Sequence, residues 1–406
     1  MIKKNLESCG GRAEKKMDEL MDRKTTEKVP IKIAKTIMIT GITIACVAVL
    51  YVLLNVLLMS SGNATVTASD DVTSVSIMDK FDMIVTNKIS KALDGVISVE
   101  KSYWLNDEDL VAPKPAQEKY GQADSAEELA WLLKDAEKLL DGQEMLFNTS
   151  TPVWEKDKVY YYYDETILVI TWKQIIDGML FNLSEVKIAH PSQFRRFLAG
   201  GEFGCDKQYT TTEMASSVNA VMATSGDFYK FRRKGVVVYE GKLQRFEGKG
   251  VDTCFITEDG DLMLSYRGDF ANEQEAADFI KENKVRFSLV FGPVLVDNGE
   301  VVKTEGYGLG EVNSEYTRAA LCQMDKLHYL VASVTGEPSN GYTKRPTVAQ
   351  FAEKVHKFGV DKAYTLDGGQ TTVICMDGKL ISNPDFNVQR TISDIVYFAT
   401  AIPNME

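Results

Sequence analysis

The hydrophobic and polar positions of this 406-residue chain change in character along its length. An uncharged apolar run occupies residues 36–59, and apolar residues at helical spacing recur in the next hundred residues. From about residue 160 onward, short apolar stretches alternate with turn residues. Because each pattern is typical of a different kind of element, we expect an apolar N-terminal segment, a partly helical middle region and a strand-rich C-terminal part.

The apolar run at residues 36–59 predicts a transmembrane helix. It carries no charge, and a helix of this length spans about 36 Å, against about 30 Å of hydrocarbon in a bilayer. Residues 1–35 contain ten Lys or Arg and six acidic residues, which favours a cytoplasmic N-terminus and an extracytoplasmic C-terminal domain in the cell membrane. A cleaved signal peptide is the alternative, since residues 66–68 resemble a cleavage site, but the basic and apolar segments are longer than usual for one.

Residues 60–155 have the pattern of a partly helical stalk or accessory region. Apolar positions recur at helical spacing from residue 79 to residue 93. A second helix is predicted at residues 125–141, because Ser125 and Glu128 match a capping box and a glycine follows the last apolar residue. Neither helix contains a pattern that indicates chemistry.

Residues 156–406 have the pattern of a sheet-rich domain. Four pairs of apolar stretches flank turns that end in Glu-Gly, Asp-Gly or Asn-Gly, as β-hairpins do. The pairs are 236–239 with 242–243, 254–257 with 262–265, 294–296 with 300–302, and 372–376 with 379–381. Helices are predicted at 272–282 and 347–358. The expected fold is therefore an α+β domain with mixed sheets, several hairpins and packed helices.

Charge and composition exclude some classes of function. The chain has a net charge of −12, to which residues 1–35 contribute +4 and the remainder −16. An acidic C-terminal part argues against nucleic-acid binding, which needs a basic face. With three histidines and no Cys-x-x-Cys pair, the sequence predicts no metal site and no cofactor. The cysteines of the C-terminal part allow three disulfide pairings or none, and they are Cys205, Cys254, Cys322 and Cys375.

Two aspartates beside glycines, Asp227 and Asp367, each follow an apolar stretch directly. An aspartate on a sharp turn at a strand end can point into a cleft, and glycine allows close backbone approach. Asp-Gly is also a common hairpin turn. The two motifs are therefore candidate functional residues only in combination with other signals.

The order of several motifs along the chain resembles the phosphodiester glycosidase family, whose bacterial members are often labelled exopolysaccharide biosynthesis proteins. The resemblance covers about residues 160–402. Its motifs are VKIAHP at 186–191, SGDFY at 225–229, residues 235–243, residues 287–299, TRAA at 317–320, LDGG at 366–369 and QRTISDIV at 389–396.

The resemblance implies hydrolysis of the glycosyl C1–O bond of a sugar-1-phosphodiester in a cell-surface or exopolysaccharide glycan. Under this hypothesis the guanidinium of Arg318 binds the phosphate, since its planar fork matches phosphate oxygens. Amides of Gly368 and Gly369 add donors. Asp367 or Asp227 activates water or stabilises positive charge at C1, and the sequence does not rank the two.

Other residues of these motifs are candidate substrate contacts: Ser225, Gly226, Gly292, Pro293, Glu337 and Thr371. The chain also departs from the family pattern. Ser225 stands where asparagine is usual, Gln370 replaces a third glycine, and Thr335-Gly336-Glu337 replaces Asp-Gly-Arg. These departures support an alternative, a non-catalytic glycan-binding or envelope-assembly protein on the same domain. The oligomeric state is left open.

Overall fold

The computed structural model describes residues 111–154, 158–304, 306–308, 312–337, 341–382, 384 and 388–403. The predicted cytoplasmic tail, the transmembrane segment at 36–59 and the helix at 79–93 lie outside these residues. Within the described ranges, every helix is too short or too polar to span a bilayer. The described part is a sheet-rich α+β fold with few helices, as the sequence predicts.

The secondary structure of the described residues is dominated by short strands. In chain order the strands are β1 (Tyr120–Ala123), β2 (Val159–Asp164), β3 (Ile167–Ile176), β4 (Met179–Ile188), β5 (Phe194–Leu198), β6 (Met222–Ser225), β7 (Val237–Tyr239), β8 (Lys242–Arg245), β9 (Thr253–Thr257), β10 (Leu262–Ser265), β11 (Val285–Leu289), β12 (Val294–Asp297), β13 (Glu300–Val301), β14 (Arg318–Asp325), β15 (His328–Thr335), β16 (Lys362–Leu366), β17 (Ile374–Met376), β18 (Lys379–Leu380) and β19 (Asp394–Phe398). The helices are α1 (Ala126–Asp135), α2 (Glu137–Leu140), α3 (Thr211–Ser217), α4 (Glu273–Glu282) and α5 (Val348–His356).

These strands form four sheets. A nine-stranded sheet has the order β1-β2-β3-β4-β15-β14-β16-β12-β13, and a five-stranded sheet has the order β18-β17-β6-β19-β5. Smaller sheets are formed by β10-β9-β11 and by β7-β8. Strands β6 and β19 lie side by side in the five-stranded sheet, whereas β16 belongs to the nine-stranded sheet. The site described below lies where the ends of these strands meet.

The four predicted hairpins are confirmed, because each pair of strands is adjacent and antiparallel. The three helices predicted beyond residue 120 are also present. Their N-caps are Ser125, Asn272 and Thr347, and each side chain accepts a bond from a backbone N–H three residues later. The expectation of mixed sheets is wrong for the described residues, where every strand pairing is antiparallel. Short hairpin connections impose antiparallel pairing, whereas parallel pairs need long crossovers.

The nine-stranded sheet is buried on both faces. One face packs against α1, α2 and α5 around residues such as Leu132, Phe181 and Phe351. The other face packs against the five-stranded and three-stranded sheets around Phe194 and Tyr329. Every residue of β4 and β15 is buried, including polar ones such as Asn182, Glu185 and His328, so these strands lack the exposed positions of surface strands.

Part of the region assigned to the stalk belongs to this packed body. Strand β1 pairs with β2 at one edge of the nine-stranded sheet, and α1 buries Leu129 and Leu132 against the same core. The four cysteines of the described residues are free, buried thiols. Stability therefore comes from packing of the sheets and helices.

Candidate active site

Two acidic turns from different sheets meet at the strand ends. Ser225 is the last residue of β6, and Gly226 and Asp227 follow it. Asp367 follows the last residue of β16. The Ser225 hydroxyl donates to the carbonyl of Asp367 at 3.2 Å, and the Asp367 amide donates to the carbonyl of Gly226 at 3.4 Å. The backbone itself therefore joins the two aspartates that the sequence singled out.

Asp227 is fully engaged by the protein. Its Oδ1 accepts from the Phe228 amide at 2.5 Å, and its Oδ2 accepts from the Val290 amide at 2.6 Å. Burial raises the pKa of Asp227, and the Arg196 guanidinium, 3.6 Å from Oδ2, opposes that shift. With both oxygens occupied and the side chain buried, this carboxyl holds the turn after β6 in place.

A buried arginine links Asp227 to a second carboxyl. Arg196 on β5 donates from Nε to Oδ2 of Asp394 at 2.7 Å, and Asp394 Oδ1 accepts from the Asp227 amide at 3.0 Å. Burial raises the pKa of Asp394, the Arg196 charge lowers it, and the negative charge of Asp227 raises it again. One guanidinium thus faces two buried carboxyls, so removing it leaves uncompensated charge.

Asp367 is the carboxyl of this group that lies nearest to solvent. Its Oδ2 accepts from Nη2 of Arg390 at 3.1 Å, and the side chains are 10% and 43% exposed respectively. Burial raises the pKa of Asp367 to about 6, although the Arg390 charge lowers it. A carboxyl that titrates near neutral pH can take up or release a proton during a reaction.

Two guanidinium groups surround the ring of Phe228, the residue after Asp227. The Cζ atoms of Arg390 and Arg232 lie 5.5 and 5.9 Å from the ring centroid. Arg232 also lies 4.6 Å from the ring of Phe291 and donates from Nη1 to the Phe291 carbonyl at 2.6 Å. Two cations therefore lie within 6 Å of the centroid of the Phe228 ring, and one of them, Arg390, pairs with Asp367.

The glycines of the two turns are required by close packing within the protein. A Cβ atom on Gly226 would lie 2.3 Å from Oδ2 of Asp394, and one on Gly368 would lie 2.7 Å from the Thr317 carbonyl oxygen. The Gly369 amide donates to the same Thr317 carbonyl at 3.4 Å. These glycines thus bring protein groups together, and the phosphate-binding role of the Gly368 and Gly369 amides stays a prediction.

The backbone of Arg318 lies next to the turn that carries Asp367, while its side chain contacts residues 314 and 316. It is the first residue of β14, and the pairing of Ala319 with Leu366 places it next to the end of β16. Its Nη2 donates to the Ser314 carbonyl at 2.6 Å, and its Cζ lies 5.9 Å from the Tyr316 ring. The guanidinium that pairs with Asp367 is therefore that of Arg390.

The remaining predicted contacts fall into three places. Thr371 donates its hydroxyl to the Gly368 carbonyl at 2.8 Å, within the turn after β16. Pro293 follows a cis peptide bond, and its carbonyl accepts from the Thr365 hydroxyl at 2.9 Å. Glu337 is buried and pairs with Lys173 of β3 at 2.8 Å. The first two of these places adjoin β16.

Sequence reasoning did not assign roles to several residues of the site. Arg390 and Asp394 lie in the QRTISDIV motif at 389–396, so the motif itself was an available signal. Arg196 lies in a strand, and only its pairing with β19 brings it to Asp394. Across the described ranges, no three or more His, Cys, Asp or Glu side chains are grouped to hold a metal ion.

Comparison with known proteins agrees with the sequence resemblance. Residues 218–399 match the protein-family model described as phosphodiester glycosidase. A curated relative is the SPbeta prophage-derived uncharacterized protein YomE of Bacillus subtilis (strain 168), which is 22% identical over 200 residues, covering 47% of this chain and 30% of that protein. The chain thus spans less than a third of that relative.

Two solved structures match part of this chain. The catalytic domain of zebrafish N-acetylglucosamine-1-phosphodiester alpha-N-acetylglucosaminidase matches with a TM-score of 0.45 and 18% identity, over 57% of this chain and 82% of that chain. A hypothetical protein from Synechocystis matches with a TM-score of 0.43 and 13% identity, over 60% of this chain and 64% of that chain.

Proposed function

We propose that the chain hydrolyses the glycosyl C1–O bond of a sugar-1-phosphodiester, because residues 218–399 match the phosphodiester glycosidase family model. The observation that carries this proposal is the pair formed by Asp367 and Arg390. It combines a largely buried carboxyl, whose pKa is about 6, with a half-exposed guanidinium at 3.1 Å. A proton acceptor and a phosphate-binding cation therefore lie next to each other.

Asp367 is the acceptor in the proposed reaction. Ionised above pH 6, it takes a proton from a water molecule as the water oxygen bonds to C1. The C1–O bond breaks, and its electron pair leaves on the phosphate oxygen as a phosphomonoester. Most glycosidases use a second carboxylic acid to protonate an alkoxide leaving group. A phosphomonoester leaves more easily, so a single titrating carboxyl suffices.

Arg390 binds the phosphate in this proposal. Its side chain is the more exposed member of the pair with Asp367, and a guanidinium fork matches two phosphate oxygens. The assignment of the phosphate to Arg318, made from the sequence, remains the alternative. Asp227, whose oxygens accept from two backbone amides, positions the turn that carries Phe228.

The test is cleavage of a synthetic sugar-1-phosphodiester by the full chain, followed as release of free sugar and phosphomonoester. Asp367→Asn is expected to reduce kcat by about 100-fold or more, the range of a lost acid–base group. Asp278→Asn, an exposed change on α4, is the matched control. Undiminished turnover by Asp367→Asn would reject the role. Binding of the substrate by wild type without any product would instead favour the glycan-binding alternative.

We also propose that the domain acts outside the cytoplasmic membrane on a cell-surface glycan. The support is the uncharged run at residues 36–59 and the basic segment before it. Protease added to intact cells is expected to degrade the C-terminal domain. Protection of that domain in intact cells, with degradation after lysis, would reject this orientation.

A further inference from the structure

We propose that the candidate active site continues into a second phosphate subsite at Arg232, so that the substrate is a chain with phosphodiesters on successive units. The inference rests on the proposed function and adds the class of substrate. A single sugar phosphate has one phosphate for Arg390 and none for Arg232. A repeating sugar-phosphate chain supplies both.

The close contacts of Arg232 are with neutral groups. Its guanidinium lies near the rings of Phe228 and Phe291 and donates to the Phe291 carbonyl, which is neutral. In the described part of the chain, no Asp or Glu oxygen lies within 4.0 Å of this guanidinium. A guanidinium has five N–H donors, so donors remain for an anion.

The guanidiniums of Arg390 and Arg232 differ in whether a carboxylate pairs with them. Arg390 shares its charge with Asp367 at 3.1 Å, whereas Arg232 has no such carboxylate among the described residues. Both lie within 6 Å of the centroid of the Phe228 ring. The second cation is therefore close to the first and lowers the pKa of Asp227 and of Asp367 from a distance, yet it forms no ion pair within 4.0 Å in the described residues.

The loop that carries Arg232 is fixed by the protein. Arg245 donates from Nη1 to the Tyr229 carbonyl at 2.7 Å and from Nη2 to the carbonyls of Arg232 and Lys234 at 3.2 and 2.7 Å. A run of basic residues such as 230–234 is usually a solvated loop, which needs no such support. A held cation loses less conformational entropy when it binds an anion.

The surface around Arg232 suits a glycan with repeated negative charge. Phe231 is 51% exposed and stacks on Phe228 with centroids 4.8 Å apart, which leaves an aromatic face for a sugar ring. Arg233 and Lys234 are exposed next to it. Because residues 36–406 carry a net charge of −16, a local positive patch guides a polyanion to this place.

The test compares two hydrolysis-resistant phosphonate analogues of one sugar chain, with one and with two phosphonate groups on successive units. Affinities of the full chain for both are measured by calorimetry. The two-phosphonate analogue is expected to bind at least about tenfold more tightly, since one added charge-assisted contact contributes at least that factor. In the Arg232→Gln variant, the ratio of the two affinities is expected to be below about threefold.

Lys357→Gln is the matched control, because it removes one exposed positive charge after α5, which packs on the other face of the nine-stranded sheet. It should leave the ratio unchanged. Equal affinity of wild type for the two analogues, or a ratio that Arg232→Gln leaves intact, would overturn the subsite. Cleavage of a substrate with one phosphodiester separately tests the proposed function. If the substrate is cleaved but the two analogues bind equally, only the subsite is rejected. If the two-phosphonate analogue binds more tightly but no substrate is cleaved, only the hydrolysis is rejected.

Discussion

The carboxylate of Asp367 and the guanidinium of Arg390 lie 3.1 Å apart, with the carboxylate largely buried and the guanidinium half exposed. A substrate phosphate that reaches Arg390 therefore competes with Asp367 for the same positive charge. Since the Arg390 charge lowers the pKa of Asp367, binding of the phosphate and titration of the carboxyl are coupled. Several measurable consequences follow from this relationship and from the contacts around it.

Hydrolysis is expected to increase with pH through about 6. Asp367 acts as the proton acceptor in the proposed reaction, and its pKa is raised to about 6, chiefly by burial. The acceptor is therefore mostly protonated at pH 5 and mostly ionised at pH 7. The measurement is kcat/KM between pH 4.5 and 8. A profile that is flat through this range, or that decreases as pH rises through 6, would contradict the assignment.

Asp367→Asn is expected to stabilise the protein at pH 7. The pKa of Asp367 is raised on folding, so the folded state holds the proton more tightly than the unfolded state. The stability from this group is complete below the unfolded pKa and is lost as pH rises through 6. The amide avoids that loss, which corresponds to about 1–3 kcal/mol at pH 7. Urea unfolding at pH 7 and pH 4 checks this, and an equal gain at both pH values would contradict it.

Arg390→Gln and Arg318→Gln separate the two phosphate assignments. We expect Arg390→Gln to reduce kcat/KM by about tenfold or more, the value of a charge-assisted contact. The midpoint of the pH profile should also move to higher pH, because the Arg390 charge no longer lowers the pKa of Asp367. If folded Arg318→Gln loses turnover while Arg390→Gln keeps it, the assignment made from the sequence is correct instead.

Gly226→Ala is expected to destabilise the protein by about 2 kcal/mol or more, because overpacking in a closed site costs about 1–3 kcal/mol or more. The new Cβ would lie 2.3 Å from Oδ2 of Asp394, which Arg196 holds on the other side. Gly308→Ala is the matched control, since its nearest neighbour would be 3.7 Å away. Thermal unfolding of both variants makes the comparison, and equal melting temperatures would show that the turn after β6 can relax.

Arg196→Leu is expected to destabilise the protein by about 3–5 kcal/mol at pH 7, the usual cost of breaking a buried ion pair by removing one partner. Asp227 and Asp394 would then share a buried site without the guanidinium that pairs with both of them. Because both pKa values are raised by burial, acid neutralises the carboxyls and the loss should be smaller at pH 5. Denaturant unfolding at the two pH values measures this. A loss that is the same at both would show that packing, rather than charge, is the cause.

Local signals explain which parts of the fold were predictable. The hairpin β9–β10 follows from two apolar stretches around Glu-Asp-Gly, and α5 follows from Thr347 and Gln350 as a capping box. Both depend on neighbours in sequence. The distribution of strands among four sheets depends on contacts between distant residues, so the expectation of mixed sheets had no such local basis.

The candidate site was only partly predictable for the same reason. Asp227 and Asp367 were visible because glycine marks the turns that carry them. The sequence did not indicate a role for Arg196, because an arginine between Phe194 and Phe197 resembles an ordinary surface position of a strand. Its importance arises only when β5 pairs with β19 and brings the side chain diagonally across to Asp394.

The family match begins at residue 218, yet β4 lies before it and pairs with β15 along all eight residues of that strand. Every residue of β15 is buried. A fragment limited to residues 218–399 would leave this apolar strand with a free edge, which is a template for aggregation. Any truncation for biochemistry therefore has to keep β4 and the strands beyond it in the sheet, β3, β2 and β1, although the family match does not cover them.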